Sequence, residues 1–405
     1  MKKNNIFSNI LMAWALMLSV LATGCSKSPD VAPAETPVAV QPRVLISADK
    51  LATFPAVALQ LAAQSQGFGN FANEFKYDVS LYRVVYHTTY QNQKIAASGL
   101  VCLPDSVAAP VPMLSAQHGT IFKDDEAPSA FTDGFTGFEF FASAGYATVI
   151  PDYIGFGSSK DIFHPYYDQK HSGLAVVDMI KAGKELSDSL QVPLSEKLFL
   201  AGYSEGGYVT LAAQKEIETN PEHNLKLTAV GAGAGGYDLT EMLAMVKSGD
   251  RYGNPSYLAY VLMSYNHTYN WNRPLTDFFQ EPYASRLPGL FNGQYSGSQI
   301  NSQLSTDPEQ LFNPQFMQAL RGNGEQALKQ AVANNSFLNW APKAPTKLYH
   351  GTSDTVVPFA NSQTTYDRFR AAGATNVRFI PIPGGTHGSS LAPMLLDLIP
   401  WMKTF

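Results

Sequence analysis

The stretch that decides the fold is residues 197–217, Lys-Leu-Phe-Leu-Ala-Gly-Tyr-Ser-Glu-Gly-Gly-Tyr-Val-Thr-Leu-Ala-Ala-Gln-Lys-Glu-Ile. Its early part, residues 198–201, is a short apolar run of the kind found in strands that are buried on both faces. A glycine-rich turn follows at residues 202–207, and the apolar positions after it suit a helix. Because parallel sheets are built from strands that lead into helices, this stretch predicts a strand, a tight turn and a helix of an α/β fold.

The turn matches the pattern Gly-x-Ser-x-Gly, with Ser204 at its centre and Gly202 and Gly206 on either side. A serine at the tip of such a turn has a strained backbone, and larger side chains at the two flanking positions would collide. Gly207 lets the following helix lie close to the sheet. The N-terminus of that helix offers unpaired N–H groups to a developing negative charge. This context predicts that Ser204 is a catalytic nucleophile.

The composition supports a large buried core. The chain has 405 residues, of which 45% are hydrophobic and 15% are charged, and this balance argues against disorder. The formal net charge is −5, and the sequence has no basic run, so nucleic acid is not an expected partner. No His-Glu-x-x-His or paired-cysteine spacing occurs, so we expect neither a metal nor another cofactor.

Residues 1–25 are typical of the targeting segment of an exported protein. Two lysines follow the initial methionine, and residues 10–18 form an apolar stretch that is too short to span a membrane comfortably. Leu-Ala-Thr-Gly-Cys at residues 21–25 resembles a bacterial lipobox, in which the cysteine is lipidated and becomes the new N-terminus. We therefore expect Cys25 to anchor a bacterial lipoprotein in a membrane, facing the periplasm or the cell surface, with ordinary secretion as the alternative. Cys102 would then have no disulfide partner and is expected to be a small buried hydrophobe.

The chain divides into five predicted segments. The signal peptide and lipobox occupy residues 1–25, and a proline-rich linker at residues 26–48 holds the folded part away from the membrane. The two parts of an α/β core are predicted at residues 49–236 and 344–405. Between them, residues 237–343 break the alternation of strands and helices.

This intervening segment is predicted to be an inserted helical cap, because a structureless loop of such length is improbable in a compact domain. Helix-length segments lie at residues 239–247, 255–266 and 325–334. The segment contains sixteen aromatic residues. An aromatic-rich cap above an active site suits an apolar acyl or aryl group.

The remaining elements are predicted from periodicity and composition. The predicted strands lie at residues 78–88, 94–103, 112–117, 146–150, 198–201, 225–230, 347–351 and 377–382. The other predicted helices lie at residues 51–66, 138–144, 169–187 and 360–371, followed by a last amphipathic helix that holds Leu391, Leu395, Leu398 and Ile399. The fold class is therefore α/β, a mostly parallel central sheet with helices on both faces and an inserted helical cap.

The strand predicted at residues 112–117 ends in His118-Gly119-Thr120. A glycine at this point lets the backbone turn so that the following N–H faces the serine. We therefore assign an oxyanion hole to the backbone N–H groups of Thr120 and Glu205. His118 itself is expected to brace the loop.

Ser204, Asp354 and His387 occur in the order nucleophile, acid, base, which is typical of three residues on loops at one edge of a parallel sheet. The serine hydroxyl needs an imidazole to take its proton, and the imidazole needs a buried carboxylate to fix its tautomer. Asp354 begins the loop after one predicted strand, and His387 lies in a glycine-rich loop after the next. These placements predict a catalytic triad.

Other residues are alternatives for two of these roles. Asp238 and Asp152 also follow predicted strands at the same edge, but the His-Gly-x-x-Asp setting favours Asp354 as the acid. His350 lies within a predicted strand and is interpreted as structural, so His387 is favoured as the base.

The motifs together resemble those of the α/β-hydrolases and, more narrowly, of the secretory lipase family of fungi and bacteria. The resemblance is carried by Gln117-His118-Gly119-Thr120, Pro151-Asp152-Tyr153-Ile154-Gly155-Phe156-Gly157, His164-Pro165-Tyr166, Gly202-Tyr203-Ser204-Glu205-Gly206-Gly207, the Asp354 loop and His387. It spans about residues 75–405 and is weakest across 237–343. It implies a carboxylic ester hydrolase with a helical cap that acts on lipid or short-chain acyl esters. The chain departs from fungal members by carrying Glu205 where they tend to have glycine, and by lacking paired cysteines.

The predicted function is that of a serine esterase that works through an acyl-enzyme intermediate on a small-molecule ester or lipid. A serine peptidase or aminoacyl amidase is one alternative, because the same triad cleaves amides. A lipid-anchored binding protein without activity is a second alternative, because a fold does not fix a function.

Overall fold

The computed structural model describes residues 43–65, 69–132 and 134–405, and the predicted signal peptide with Cys25 lies outside them. The strands in the described part are β1 (Leu45–Phe54), β2 (Val79–Tyr90), β3 (Gln93–Pro104), β4 (Val111–Gln117), β5 (Ala147–Pro151), β6 (Leu194–Tyr203), β7 (Ala229–Gly233), β8 (Thr346–Gly351) and β9 (Val377–Ile382). They form one sheet in the order β1-β2-β3-β5-β4-β6-β7-β8-β9. In the sheet, the neighbouring pairs β1-β2, β2-β3 and β3-β5 are antiparallel. All the other neighbouring pairs are parallel.

The α-helices of the described part occur between and after these strands. They are α1 (Ala56–Ser65), α2 (Phe140–Ser143), α3 (Gln169–Ser189), α4 (Glu205–Thr219), α5 (Leu239–Ser248), α6 (Pro255–Thr268), α7 (Tyr283–Leu290), α8 (Gly297–Asn301), α9 (Pro308–Leu311), α10 (Pro314–Arg321), α11 (Gln326–Asn334), α12 (Phe359–Ala371) and α13 (Leu391–Met402). None of the helices within residues 43–65, 69–132 and 134–405 combines the length and apolar character that a bilayer crossing requires.

Successive side chains of β6 belong to two different hydrophobic cores, as expected for a strand that is buried on both faces. Leu200 belongs to one core, together with Val176 of α3 and Leu211 of α4. Phe199, the preceding residue, belongs to the other core, together with Leu398 of α13. The prediction of a mostly parallel sheet with helices on both faces is therefore confirmed.

The helices α5–α11 lie between β7 and β8, in the segment predicted as a helical cap. We call residues 237–343 the cap. Three of its helices, α5, α6 and α11, coincide with the segments predicted at 239–247, 255–266 and 325–334. Part of its aromatic content packs internally, since the ring of Phe316 lies 5.6 Å from that of Phe278 and 5.8 Å from that of Phe312.

The beginning of the described part differs from the prediction. Strand β1 includes the last residues of the segment predicted as a linker at 26–48 and the first residues of the helix predicted at 51–66. The helix α1 begins only at Ala56. Strand β1 is an edge strand whose antiparallel pairing with β2 shifts register at two places. Its side chains therefore do not alternate strictly between apolar and polar, and periodicity did not identify it.

Strand β7 also lies further along the chain than predicted. It was expected at residues 225–230 with the glycines beyond its end, but Gly231 and Gly233 are inside it. A Cβ atom on Gly231 would lie 2.5 Å from Cδ1 of Leu398, and one on Gly233 would lie 2.5 Å from Sδ of Met394. The close approach of α13 therefore favours glycine over the β-branched residues that mark a strand in sequence.

Candidate active site

Ser204 lies at the turn between β6 and α4, with φ 59° and ψ −127°. A positive φ is unfavourable for serine, so the surrounding backbone must hold the turn in place. A Cβ atom on Gly202 would lie 2.2 Å from the carbonyl oxygen of Gly206, and one on Gly206 would lie 2.0 Å from the carbonyl oxygen of Gln117. Only glycine fits at these two positions, and the second contact holds the first turn of α4 against the end of β4.

Three side chains form one hydrogen-bonded line at the carboxyl edge of the parallel strands. Nε2 of His387 is 2.8 Å from Oγ of Ser204, and Nδ1 of His387 is 2.7 Å from Oδ2 of Asp354. Asp354 follows β8, and His387 follows β9. The hydroxyl of Tyr203 donates a hydrogen bond to the carbonyl of His387 at 2.6 Å, which fixes the histidine loop. The structure thus brings together the three residues that the sequence assigned to a triad.

Asp354 accepts hydrogen bonds from the backbone as well as from two imidazoles. Its Oδ1 accepts from the N–H groups of Val356 at 2.8 Å and Val357 at 3.0 Å, and Nε2 of His350 lies 3.2 Å from its Oδ2. Burial alone would raise the pKa of Asp354, but hydrogen bonds from His350 and His387 outweigh it and lower that pKa well below its ordinary value. Asp354 is therefore an ionised acceptor for both rings.

His350 contributes more to the site than its place in a strand indicated. Its ring is fully buried, Nε2 lies 2.9 Å from the carbonyl of Val357, and Nδ1 lies 2.6 Å from Oγ of Ser362. Because Nε2 faces only acceptors, we place the hydrogen on Nε2, and Nδ1 accepts from the Ser362 hydroxyl. The four-residue spacing to Asp354 was the signal in the sequence that could have revealed this contact.

The two alternative acids form hydrogen bonds elsewhere. Asp238 caps α5 by accepting from the backbone N–H of Thr240 at 3.0 Å. Asp152 is fully buried and accepts from the hydroxyls of Ser98 and Ser129 at 2.6 Å and 2.5 Å. Of the three candidate carboxylates, Asp354 is the one that contacts the imidazole of His387.

Both residues assigned to an oxyanion hole belong to segments that border the serine. A Cβ atom on Gly119 would lie 3.7 Å from Cβ of Ser204, so the loop after β4 passes beside Ser204. Thr120 follows in this loop, and its Oγ1 lies 2.9 Å from the hydroxyl of Tyr166. Glu205 is the first residue of α4, so its N–H precedes the turns in which helical hydrogen bonds form.

His118 contacts the loop after β4 that contains Thr120. Its Nδ1 lies 2.7 Å from the carbonyl of Gly119, and its own carbonyl accepts from the hydroxyl of Tyr153 at 2.9 Å. The two rings stack with their centroids 4.1 Å apart. Burial lowers the pKa of His118, so the ring supports the loop as a neutral group.

Glu205, the residue after Ser204, makes a buried contact that was not predicted from the sequence. Nε2 of His164 lies 2.8 Å from Oε1 of Glu205, and the two side chains are only 4% and 2% exposed. Nδ1 of His164 lies 2.6 Å from the carbonyl of Ile154. The available signals were the unusual Glu205 and the His-Pro-Tyr motif that begins at His164, but they are 41 residues apart in the chain.

An apolar cavity reaches Ser204. Its walls come from the loops of the sheet and from the cap, and the lining residues are Tyr166, Tyr167, Ser204, Gly236, Leu239, Met242, Leu243, Val246, Tyr252, Tyr257, Leu258, Val261, Leu262, Phe312, Phe316, Leu320, Leu328, Val332, Val356 and Val357. None of these described residues carries a charge at neutral pH. The apolar lining suits an apolar group.

Within residues 43–65, 69–132 and 134–405, no three His, Cys, Asp or Glu side chains are arranged to hold a metal ion. Cys102 is fully buried in β3, as predicted, and burial raises the pKa of its thiol well above the ordinary value.

The sheet, the strained serine turn and the cap inserted after β7 define the class of the protein, which is an α/β-hydrolase. A family model described as "Secretory lipase" matches residues 140–396, more than half of the chain. The chain belongs to the secretory lipase family.

Individual relatives agree with this assignment. Lipase 4 of Candida albicans is 26% identical over 245 residues, which cover 58% of this chain and 50% of that lipase. The chain thus spans about half the length of the curated relatives it matches first. A crystal structure from Legionella pneumophila is similar with 27% identity and a TM-score of 0.82, over 89% of this chain and 98% of that one. The rice cell wall degrading esterase LipA from Xanthomonas oryzae is similar with 26% identity and a TM-score of 0.76, over 89% and 96% of the two chains.

Replacing Asp354 with asparagine should remove stability that depends on the ionised carboxylate. Because the folded-state pKa of Asp354 is lowered, its contribution is present above about pH 4, the ordinary aspartate value, and is lost as the pH falls through the lower folded value. Near neutral pH we expect D354N to unfold more easily by on the order of 2 kcal/mol. Unfolding midpoints measured against pH should show this difference shrinking in acid.

A matched control is Asp367→Asn, which changes an exposed carboxylate on α12. Its unfolding midpoint should follow that of the wild type at every pH. If the unfolding midpoints of D354N and the wild type differ by the same amount from neutral to acidic pH, the role of charge at Asp354 is contradicted.

Proposed function

We propose that this protein is a serine carboxylic ester hydrolase. Ser204 attacks the ester carbonyl while His387 takes the hydroxyl proton and passes it to the leaving alcohol. Asp354 orients the imidazole and stabilises its charged form. The acyl-enzyme is then hydrolysed by a water molecule that His387 deprotonates. The observation that carries the proposal is the line of hydrogen bonds, 2.8 Å and 2.7 Å long, through these three side chains.

The tetrahedral intermediate needs donors for its oxyanion, and we assign this role to the backbone N–H groups of Thr120 and Glu205. Two features support the assignment. The loop that contains Thr120 passes beside Ser204, and Glu205 begins a helix whose N-terminus favours negative charge.

The cavity supports a substrate with an apolar acyl part. Its lining offers carbon atoms and tyrosine rings next to the nucleophile, so an acyl chain can leave water there. An aminoacyl amidase would need a partner for a substrate ammonium group, and the described lining has no carboxylate. The names of the relatives, a lipase and an esterase, also favour esters over amides.

We further propose that the protein is exported and held at a membrane by lipid on Cys25. The family description as secretory supports export, and the lipobox-like sequence supports the anchor. In a bacterial host, Cys25→Ala should move the protein from the membrane fraction to the soluble fraction. Wild-type protein that is already soluble after export would contradict the anchor.

Substitution of the nucleophile tests the reaction. Ser204→Ala should lower kcat for p-nitrophenyl esters by about four to six orders of magnitude without changing the unfolding midpoint, because the triad acts as a unit. Aminoacyl anilides should be poor substrates of the wild type. Faster turnover of anilides than of esters would favour the peptidase alternative. No turnover of either would favour a binding protein.

The cavity predicts which acyl groups are accepted. Leu258 lines the cavity and is partly exposed, so Leu258→Trp should fill part of it. We expect kcat/KM to fall at least about tenfold for long acyl chains and to change little for acetate, since buried methylenes contribute about 0.8 kcal/mol each. Rates with p-nitrophenyl esters of increasing chain length measure this. Leu190→Trp, at a leucine that is 41% exposed and outside the lining, is the control.

An equal loss for acetate and long-chain esters would contradict an acyl site in the cavity. An unchanged chain-length profile in Leu258→Trp would do the same.

A further inference from the structure

The contact between His164 and Glu205 joins two distant parts of the chain at the nucleophile. Glu205 directly follows Ser204 and begins α4, whereas His164 lies in the loop between β5 and α3. The two side chains are almost completely buried, and Nε2 is 2.8 Å from Oε1. Burying an ionisable pair of this kind is costly unless its hydrogen bonds are well made. The position of the pair beside the nucleophile therefore calls for a physical reason.

The hydrogen-bond partners fix how many protons the pair holds. Nδ1 of His164 lies 2.6 Å from the carbonyl of Ile154, which can only accept, so Nδ1 carries a hydrogen. A neutral ring would then present a lone pair at Nε2 to the carboxylate of Glu205, and two acceptors do not bond. One further proton must therefore lie between Nε2 and Oε1. With this proton the pair has no net charge.

The imidazole of His164 is held in place by its surroundings. A Cβ atom on Gly155 would lie 2.5 Å from Cα of His164, so the loop packs tightly there. Aromatic rings surround the imidazole with centroid distances between 5.2 and 6.0 Å, and they belong to Phe156, Tyr260, Tyr166 and Tyr153. A ring that is fixed in this way can hold Glu205 in one position.

Two of these tyrosines connect His164 to the other oxyanion segment. The hydroxyl of Tyr166 lies 2.9 Å from Oγ1 of Thr120, and the hydroxyl of Tyr153 donates to the carbonyl of His118 at 2.9 Å. His164 therefore contacts the first residue of α4 directly and the loop after β4 through one intervening ring. These are the two segments that border Ser204.

We propose that the His164–Glu205 pair is a positioning device for the oxyanion hole. It fixes the first residue of α4, so that the Glu205 N–H points at the developing oxyanion, and its shared proton keeps a carboxylate charge from opposing that oxyanion. Neither side chain touches the substrate. This inference rests on the proposed ester hydrolysis and adds to it a reason why this chain carries glutamate after the nucleophile.

Three variants test the pair through kcat and KM for a p-nitrophenyl ester. Glu205→Ala removes the anchor and should lower kcat by about 10- to 100-fold with KM within about twofold, because a misplaced donor acts only in the transition state. Glu205→Gln should recover most of this loss, since its amide can donate to Nε2 of His164 without charge. Glu216→Ala is the matched control, because Glu216 lies on the same helix and its Oε1 is 2.6 Å from Nε2 of His223. It should not change kcat.

A second route covers the case in which Glu205→Ala does not fold. His164→Gln keeps much of the side-chain volume but leaves the carboxylate without its proton, so kcat should again fall by about 10- to 100-fold. Adding Glu205→Gln to this variant removes the charge and should raise kcat again.

Each outcome decides the inference. The inference is overturned if Glu205→Ala and His164→Gln both keep kcat within about threefold of the wild-type value. It is also overturned if Glu205→Gln lowers kcat as much as Glu205→Ala does. A loss of the same size in the Glu216→Ala control would overturn it too, because a histidine–glutamate contact far from Ser204 would then have the same effect. A wild-type protein that does not hydrolyse esters would overturn the proposed function as well, and it is measured first.

Discussion

The close contact between the turn at Ser204 and the end of β4 is the constraint on which the rest of the site depends. Gly206 packs so tightly against the carbonyl of Gln117 that a single methyl group would not fit. This contact holds the N-terminus of α4 at the carboxyl edge of the sheet. Loops of parallel strands meet at that edge, so the serine, the loop after β4 and the loops after β8 and β9 converge there.

Histidine–carboxylate contacts then hold the polar groups near the serine in place. His387 and His350 both face the carboxylate of Asp354, and His164 faces that of Glu205. In such a poorly solvated environment a satisfied polar contact is strong and an unsatisfied one is costly, so these groups have few alternative positions. The charged groups of the site are thereby held in place, while the adjoining cavity remains apolar. This combination suits the attack of a fixed hydroxyl on an ester whose acyl part avoids water.

The sequence was informative where local chemistry determines structure. The glycines around Ser204 and the strand endings before Asp354 and His387 predicted where these residues lie, because turns and strand ends have local signatures. The sequence was uninformative where contacts between residues far apart in the chain determine the structure. Strand β1 is held partly by Glu185 of α3, whose carboxylate accepts from the backbone N–H of Leu45, 140 residues away. The contact between Glu205 and His164, 41 residues apart, likewise emerges only from the folded chain.

The proposed reaction depends on activation of the Ser204 hydroxyl by the imidazole of His387. The most direct measurement is reaction of the purified protein with a fluorophosphonate, followed by intact-mass analysis and peptide mapping. We expect a single phosphonyl adduct, located on Ser204, that forms far more slowly when His387 is replaced by glutamine. An unlabelled wild-type protein, or an adduct on another residue, would contradict it.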